Sequence, residues 1–395
     1  MKILVVCQYY SPEPFRVADI CETLVKEGHR VDVITSLPNY PMGEIYEGYR
    51  DGSHKDEVIN GVKVHRVFTV GRRTGAIFRF INYYVYALAG SLRAFRLKEK
   101  YDAVLVYQLS PVMMTYPALV YKKKHGTPVL LYCLDLWPES LRMGGINKES
   151  IIYKFFERVS KKIYCAADKI FVSSKSFIPF LGEKYNIDDS EICYLPQFAE
   201  DIFSPVKTTR REKLSLTFAG NIGTAQSLET IVDAAALLRK EEIVFNIVGD
   251  GSELKAIKKY VQDRALENVV FYGRRPLQDM PEIFAESDGM LVTLSADEVL
   301  SRTLPGKVQS YMAAGKPIIG AINGECARVI IESGAGFCAP AEDAEALADC
   351  IRKFISADKA ALEKCSYEYY CDNFMKDKIM NTLIQTLEQV QLKEK

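Results

Sequence analysis

Short apolar runs of strand length recur along this chain, each closed by a loop and followed by a helical stripe. That alternation restricts the fold more than any other feature. Lys2–Cys7 is the first such run. A loop containing Pro12 and Pro14 follows, and then Val17, Ile20, Cys21, Leu24 and Val25 recur at helical spacing until Gly28. Val31–Ile34 begins the next strand. Parallel strands need a crossover of this kind. Val62–Phe68, Ala103–Tyr107, Val129–Cys133, Lys169–Val172 and Glu191–Leu195 extend the series, whereas Leu37–Asn60 reads as a long loop. Pro196–Lys213, with two prolines and a polar run, reads as a linker. A second series starts at Leu214–Ala219, where Gly220-Asn221-Ile222-Gly223 turns into a helix over Leu228–Arg239. Ile243–Val248 leads to Gly249-Asp250-Gly251 and a helix over Ser252–Val261, and Val269–Tyr272 leads to Gly273-Arg274-Arg275. Repeated strand–glycine–helix steps predict an α/β chain of two Rossmann-like, doubly wound domains. Residues 1–200 and 201–375 form them, with closing helices over Asp343–Ile355, Ala360–Phe374 and Lys376–Lys393.

Ligands of doubly wound sheets sit where strand C-terminal ends open into loops, which places Gln8–Arg16 at one candidate site. The segment Thr303–Glu325, TLPGKVQSYMAAGKPIIGAINGE, forms another. Leu304-Pro305-Gly306 breaks the chain, Val308, Tyr311 and Met312 recur at helical spacing, and Gly315 stops the helix. Pro317-Ile318-Ile319 is then a short buried strand. A loop feeding a helix N-terminus offers N–H groups and a positive dipole end, which suits a phosphate, and Lys307 adds a formal charge there. An ordinary βα unit with a Pro-Gly turn reads equally well from spacing alone.

Of the 395 residues, 51 are Lys or Arg and 51 are Asp or Glu, so the formal charge is zero. This balance speaks against a general nucleic-acid binder. The ten cysteines are scattered without a C-x-x-C, and the four histidines do not cluster, so no metal site is expected. Such cysteines fit a reducing, cytoplasmic setting. The opening strand MKILVVC gives no signal peptide to expect.

Ala76–Lys98 reads as a long helix. Its charge-free stretch, Phe80 to Leu92, is too short to cross a bilayer. Arg72, Arg73, Arg79, Arg93, Arg96 and Lys98 bracket it and Tyr83, Tyr84 and Tyr86 lie inside, a pattern that suits a helix resting on an anionic membrane surface. A core helix with solvated Arg ends accounts for it equally. Ile152, Phe155, Phe156, Val159 and Ile163 give Ile151–Tyr164 an apolar side that reads as packed, with a membrane contact as the alternative. In LDLWPESL, Asp135 and Glu139 follow a strand end, where carboxylates are placed for acid/base or hydroxyl-binding work. Each alone would also serve as a cap or a surface charge. Asp250 reads as a helix N-cap.

The order of these pieces resembles the family 4 glycosyltransferases of GT-B fold. They run from YYSPEPFRVADICETLVKEGHRVDVIT, LPNYPMGEIYEGY and DLWPESL through FAGNIGTAQSLETIVDA, FNIVGDGSE and VVFYGRRP to LPGKVQSYMAAGKPIIGAINGE. Within that family the chain is most similar to bacterial O-antigen and capsule enzymes that transfer N-acetylated deoxysugars, such as L-fucosamine transferases. The resemblance implies two Rossmann-like domains facing a cleft, with the acceptor, a glycan that is lipid-linked, on the first and a UDP-sugar donor on the second. It implies that residues 376–393 cross back to the first domain. No cofactor or divalent metal is implied, because helix termini and basic groups offset the diphosphate. A cytoplasmic enzyme at the inner face of the membrane, touching it through residues 72–98, is the expected setting.

Carried over residue by residue, the resemblance places Gly220, Asn221 and Gly223 against the diphosphate with Gly249 and Pro305 nearby. Lys307 pairs with a phosphate, and Arg16 does so from the other domain. Arg274 flanks uracil, and Glu325, in the loop after Ile318–Ala321, accepts ribose or sugar hydroxyls. Asp135 and Glu139 position or deprotonate the acceptor. The chain also departs from the pattern. The two glutamates that many members carry before the AAG segment are Arg302 and Ser310 here, and the usual Arg and Lys of the diphosphate site are Asn221 and Gln226. Arg302 and Lys307 are candidates to restore those cations, and Ser310 to meet the ribose. The His that precedes the family's aspartate is Leu134, and the first loop's Gly-Gly maps near Phe15-Arg16, so net retention is not carried over. Two rivals remain: a UDP-sugar epimerase of the same fold, and a non-catalytic GT-B partner.

Overall fold

The computed structural model describes residues 1–72, 75–209 and 212–393. Arg73, one of the expected membrane-flanking cations, and the linker residues Arg210 and Arg211 lie outside the described residues. The chain divides into two compact units. One is Met1–Leu195 together with the chain from Met380 onward, and the other is Pro196–Ile379.

In the first unit the order is β1 (Lys2–Val6), α1 (Val17–Lys26), β2 (Arg30–Ser36), β3 (Asp56–Ile59), β4 (Val62–Val67), α2 (Ala76–Arg96) and β5 (Ala103–Gln108). It continues with α3 (Tyr116–His125), β6 (Val129–Cys133), α4 (Ile151–Tyr164), β7 (Lys169–Val172), α5 (Phe177–Tyr185) and β8 (Ile192–Tyr194). The sheet runs β3-β4-β2-β1-β5-β6-β7-β8. Every pairing is parallel except β3 with β4. The inner strands are apolar on both faces because helices cover both; β5 and β6 are buried throughout. The strand order reverses between β1 and β5. β3 corrects the long-loop expectation for 37–60: it is an antiparallel edge strand joined to β4 by the two-residue turn Asn60-Gly61, both at positive φ.

The second unit contains β9 (Leu214–Ala219), α6 (Leu228–Leu237), β10 (Ile243–Val248), α7 (Leu254–Asp263), β11 (Val269–Gly273), α8 (Met280–Ala285) and β12 (Gly289–Thr293). Then come α9 (Glu298–Ser301), α10 (Gly306–Ala313), β13 (Ile318–Ala321), α11 (Gly324–Glu332), β14 (Gly336–Ala339), α12 (Ala344–Ser356) and α13 (Lys359–Asn373). Its sheet, β11-β10-β9-β12-β13-β14, is parallel throughout and reverses between β9 and β12. Apolar clusters fill the two faces, one around Phe218, Ile231 and Phe245 and the other around Val308, Met312 and Ile330. The final helix, α14 (Lys376–Lys393), starts in this unit and ends in the first, where Gln391 donates to Asp102 over 2.9 Å.

Candidate active site

The reversal between β9 and β12 puts the C-terminal end of β9 beside the start of α10. Tyr311 makes that junction specific. Its hydroxyl donates to the Ala219 carbonyl and accepts from the Ala219 N–H, both at 3.0 Å, and its ring packs on Phe284. The side chain is 1% exposed. Helical spacing marked Tyr311 as a core residue, but nothing in the sequence shows that it clamps α10 to the strand. Gly315, at positive φ, closes α10 as expected, and its N–H donates to the Met312 carbonyl over 2.9 Å.

Lys307 lies in the first turn of α10, after Pro305 in the N-cap position. Its ammonium sits 3.7 Å from the centroid of the Phe218 ring. It is buried and has no hydrogen-bond acceptor among the described residues. Burial without a counter-charge brings its pKa down from 10.5 to about 7. Gly220 is what admits it, since a Cβ there would lie 2.8 Å from the ammonium nitrogen. An unpaired buried cation at a helix N-terminus is costly alone and is satisfied by a bound anion.

The glycines play different parts from those expected. The Gly220 N–H donates to the Val248 carbonyl over 2.9 Å, so it is not available to a ligand. Gly249 is a packing residue: its N–H donates to Gly273, and a Cβ on it would stand 1.8 Å from the Gly220 carbonyl oxygen. The Gly223 N–H donates to Gln226 Oε1 over 3.2 Å, and the Asn221 amide donates to the same oxygen at the same distance. Gln226 thus fills the turn that was expected to face the diphosphate. Asp250 accepts from the Gly251 N–H over 2.8 Å and caps that turn rather than α7.

Other expected site residues divide into two groups. Arg274 stands exposed just after the end of β11. Ser310 is buried and donates to Glu200 over 2.8 Å, a carboxylate that the sequence reading missed. Arg302 pairs with Glu298 at 3.3 Å. Glu325 corrects the loop assignment. It lies in the first turn of α11, buried, and its carboxylate is held by Arg328 at 2.6 Å, so it is committed within the unit rather than open to hydroxyls.

In the first unit, Asp135 follows β6. Its Oδ2 accepts from the Ser110 N–H over 3.0 Å, and burial raises the pKa of its carboxyl against the pull of Ser110 and Arg72. A carboxylate raised in this way is a better proton acceptor near neutrality. Glu139 is a correction: only 2% exposed, it is ion-paired with Lys184 and accepts from the Tyr153 hydroxyl over 2.7 Å, a structural network and not a face open to substrate. Arg16 immediately precedes α1. Glu13, which the sequence reading passed over, ties the loops together. Its buried carboxylate accepts from the N–H groups of Asn39 (2.8 Å), Tyr40 (2.7 Å) and Tyr10 (3.3 Å), and burial pushes its pKa up to about 7. Among the described residues no group of His, Cys, Asp and Glu is arranged to hold a metal ion.

These two sheets, parallel but for the β3 edge of the first and each reversed at its centre, have the GT-B glycosyltransferase architecture. Residues 15–197 match the model of a glycosyl transferase 4-like domain and residues 213–357 that of glycosyl transferases group 1; the chain carries these two glycosyl transferase domains in tandem. It is 29% identical over 264 residues to the probable glycosyltransferase WbjE of Pseudomonas aeruginosa, covering 64% of this chain and 65% of that protein, just under two thirds of its length. It is 24% identical over 338 residues to the putative colanic acid biosynthesis glycosyl transferase WcaI of Escherichia coli, covering 80% and 82% of the two chains. The structure of HepE from Anabaena in complex with UDP-glucose superposes with a TM-score of 0.72 at 15% identity, over 98% of this chain and all of that one.

Proposed function

We propose that the protein transfers a sugar from a UDP-sugar to a glycan acceptor that is lipid-linked, in the assembly of a surface polysaccharide at the inner face of the cytoplasmic membrane. The observation that carries this reading is the Lys307 ammonium, buried at the N-terminus of α10 without an acceptor among the described residues. The UDP-glucose held by HepE and the colanic acid role in the name of WcaI support the donor and the pathway class. The resemblance to fucosamine-type enzymes supports an N-acetylated hexosamine or deoxyhexosamine as the sugar.

In this reading the second unit binds the donor and the first the acceptor. Lys307 and the first turn of α10 meet the diphosphate, Arg274 flanks the base, and Ser310 with Glu200 takes the ribose hydroxyls. Arg16 and Arg302 supply further positive charge, and the amide of Asn221 borders the phosphates. The bond from the sugar's anomeric carbon to the diphosphate oxygen breaks, the acceptor oxygen takes its place, and the acceptor proton passes to Asp135. Charge builds on the departing UDP, and a preorganised ammonium stabilises it most in the transition state.

The test is release of UDP with an extract of lipid-linked acceptors, screened across UDP-sugars. Lys307→Ala is expected to lower turnover by about a hundredfold or more with the fold retained by circular dichroism. Unchanged turnover removes Lys307 from the site. An epimer formed without acceptor would favour the epimerase reading, and absence of UDP release with every donor would favour a non-catalytic partner.

A further inference from the structure

β4, β2 and β1 lie side by side and run parallel, so the loops that follow them open at one edge of the first sheet. Doubly wound sheets meet their ligands at that edge. Two buried polar side chains hold these loops. Glu13, in the loop after β1, accepts from the Asn39 and Tyr40 N–H groups of the loop after β2 on one carboxylate oxygen, and from the Tyr10 N–H on the other. Asn82, in the second turn of α2 and fully buried, accepts from the Gln8 amide over 2.7 Å. It donates to the Thr69 hydroxyl over 3.2 Å and to the Val70 carbonyl, both in the loop after β4. Its amide nitrogen also lies 3.5 Å from Asn39 Oδ1. The loops after β1, β2 and β4 are thus tied to one another and to a helix.

Apolar contacts would hold these loops at lower cost, because a buried amide or carboxylate gives up its hydration. Glu13 is 2% exposed, and the nearby Arg66 is committed to Glu57 at 2.6 Å. What a satisfied buried network adds is one fixed geometry. Between β2 and β3 the chain has no helix or strand of its own, so the place of Tyr40 depends on Glu13. The side chains held in this way form a group. The rings of Tyr9 and Phe15 stack at 5.1 Å, and Tyr40 meets them at 5.7 and 5.2 Å. Tyr9 is buried, whereas Phe15 and Tyr40 are half-buried. The Arg72 guanidinium, from the loop after β4, lies 5.9 Å from the centroid of the Tyr40 ring and 5.8 Å from that of Tyr83, the residue after Asn82.

We propose that Glu13 and Asn82 are positioning residues for the acceptor. They do not touch it; they fix the three loops so that Phe15, Tyr40 and Arg72 present an aromatic surface and a guanidinium to one sugar ring of the acceptor glycan. An aromatic ring packs against the C–H face of a pyranose, and a guanidinium donates to its oxygens. Removing either tie lets these groups drift apart while the apolar sheet beneath them stays in place. This role rests on the reading that the first unit binds the acceptor, and it names residues that act on acceptor recognition rather than on the bond-breaking step.

The experiment is UDP release by the full-length protein at a saturating UDP-sugar, read against graded amounts of an extract of lipid-linked acceptors, with UDP binding measured in parallel. Glu13→Ala and Asn82→Leu are expected to raise the half-saturating amount of extract by about tenfold and to lower turnover at saturation by less than about threefold. Glu13→Gln, which keeps an oxygen for the Asn39 and Tyr40 N–H groups, is expected to stay within about threefold of wild type in both. A merely structural Glu13 would instead reduce the amount of active protein, so a fall in turnover with half-saturation unchanged overturns the proposal. So does a Glu13→Gln variant as impaired as Glu13→Ala. Phe15→Ala, at a half-buried position, covers the case in which Glu13→Ala does not fold. It is expected to raise half-saturation by about fivefold or more, and a wild-type value there overturns the proposal. UDP binding without UDP release by the wild type, with every donor, strikes the acceptor reading and this role with it. Release with wild-type half-saturation in all the variants strikes this role alone.

Discussion

A lysine ammonium in water keeps most of its proton up to about pH 10; burial of that of Lys307, packed on Phe218 with no acceptor among the described residues, brings its pKa down to about 7. The consequence for stability has a definite sign. Unfolded, the group titrates near 10.5, and folded near 7. Between these values the unfolded chain binds more protons, so stability rises with pH across the window, and below pH 7 the cost of the buried charge is complete. Lys307→Met is therefore expected to be the more stable protein at about pH 6.5, by about 2 to 4 kcal/mol, with the advantage fading toward pH 10.5. Urea unfolding at a series of pH values measures this. A variant less stable than wild type at about pH 6.5 would mean that Lys307 is a structural residue. A group kept at a cost in the free protein is one that a ligand satisfies, and the same logic separates Lys307 from Glu139 and Glu325, whose charges already have partners inside the fold.

At the scale of elements, the site depends on how firmly α10 is held to β9, and Tyr311 holds it by two hydrogen bonds to the Ala219 peptide groups. Tyr311→Phe leaves that N–H and C=O buried without their partner, which is expected to cost about 2 to 4 kcal/mol and to weaken donor use more than the stability loss alone explains. Chemical denaturation and steady-state kinetics on the same preparation check both; wild-type values for both would show that α10 is fixed by its apolar contacts. Most elements were legible in the sequence because buried parallel strands and amphipathic helices announce themselves by period. The exceptions have physical reasons. β3 has four residues, too few for a pattern, although Asn60-Gly61 beside it is a strong hairpin signal. α11 was hidden by Asn323-Gly324, which reads as punctuation, while Cys326, Val329 and Ile330 already carried the helical stripe. In α4 the period was right, but periodicity does not reveal how far the core reaches, so Ile152 and Phe155 were assigned to a packed face that they do not share.

For the molecule as a whole, the repeated α/β pattern specifies two doubly wound units, and the Pro305-Gly306 break before Lys307 marks the loop feeding α10. The chemistry inside that loop was less legible. Which N–H groups are spent in the backbone, as at Gly220, and which turn a glutamine fills, as at Gly223, are settled by contacts between segments far apart in the chain. A diphosphate at Lys307 must restore the proton that the free protein sheds, which makes binding itself the decisive observable. Calorimetric titration of UDP into wild type and Lys307→Met, at about pH 8 in buffers of different ionisation enthalpy, reads affinity and proton uptake together. Wild type is expected to take up most of one proton on binding UDP, and Lys307→Met to take up none and to bind about tenfold or more weakly. Equal affinity with equal proton uptake in the two proteins would contradict a diphosphate site at Lys307.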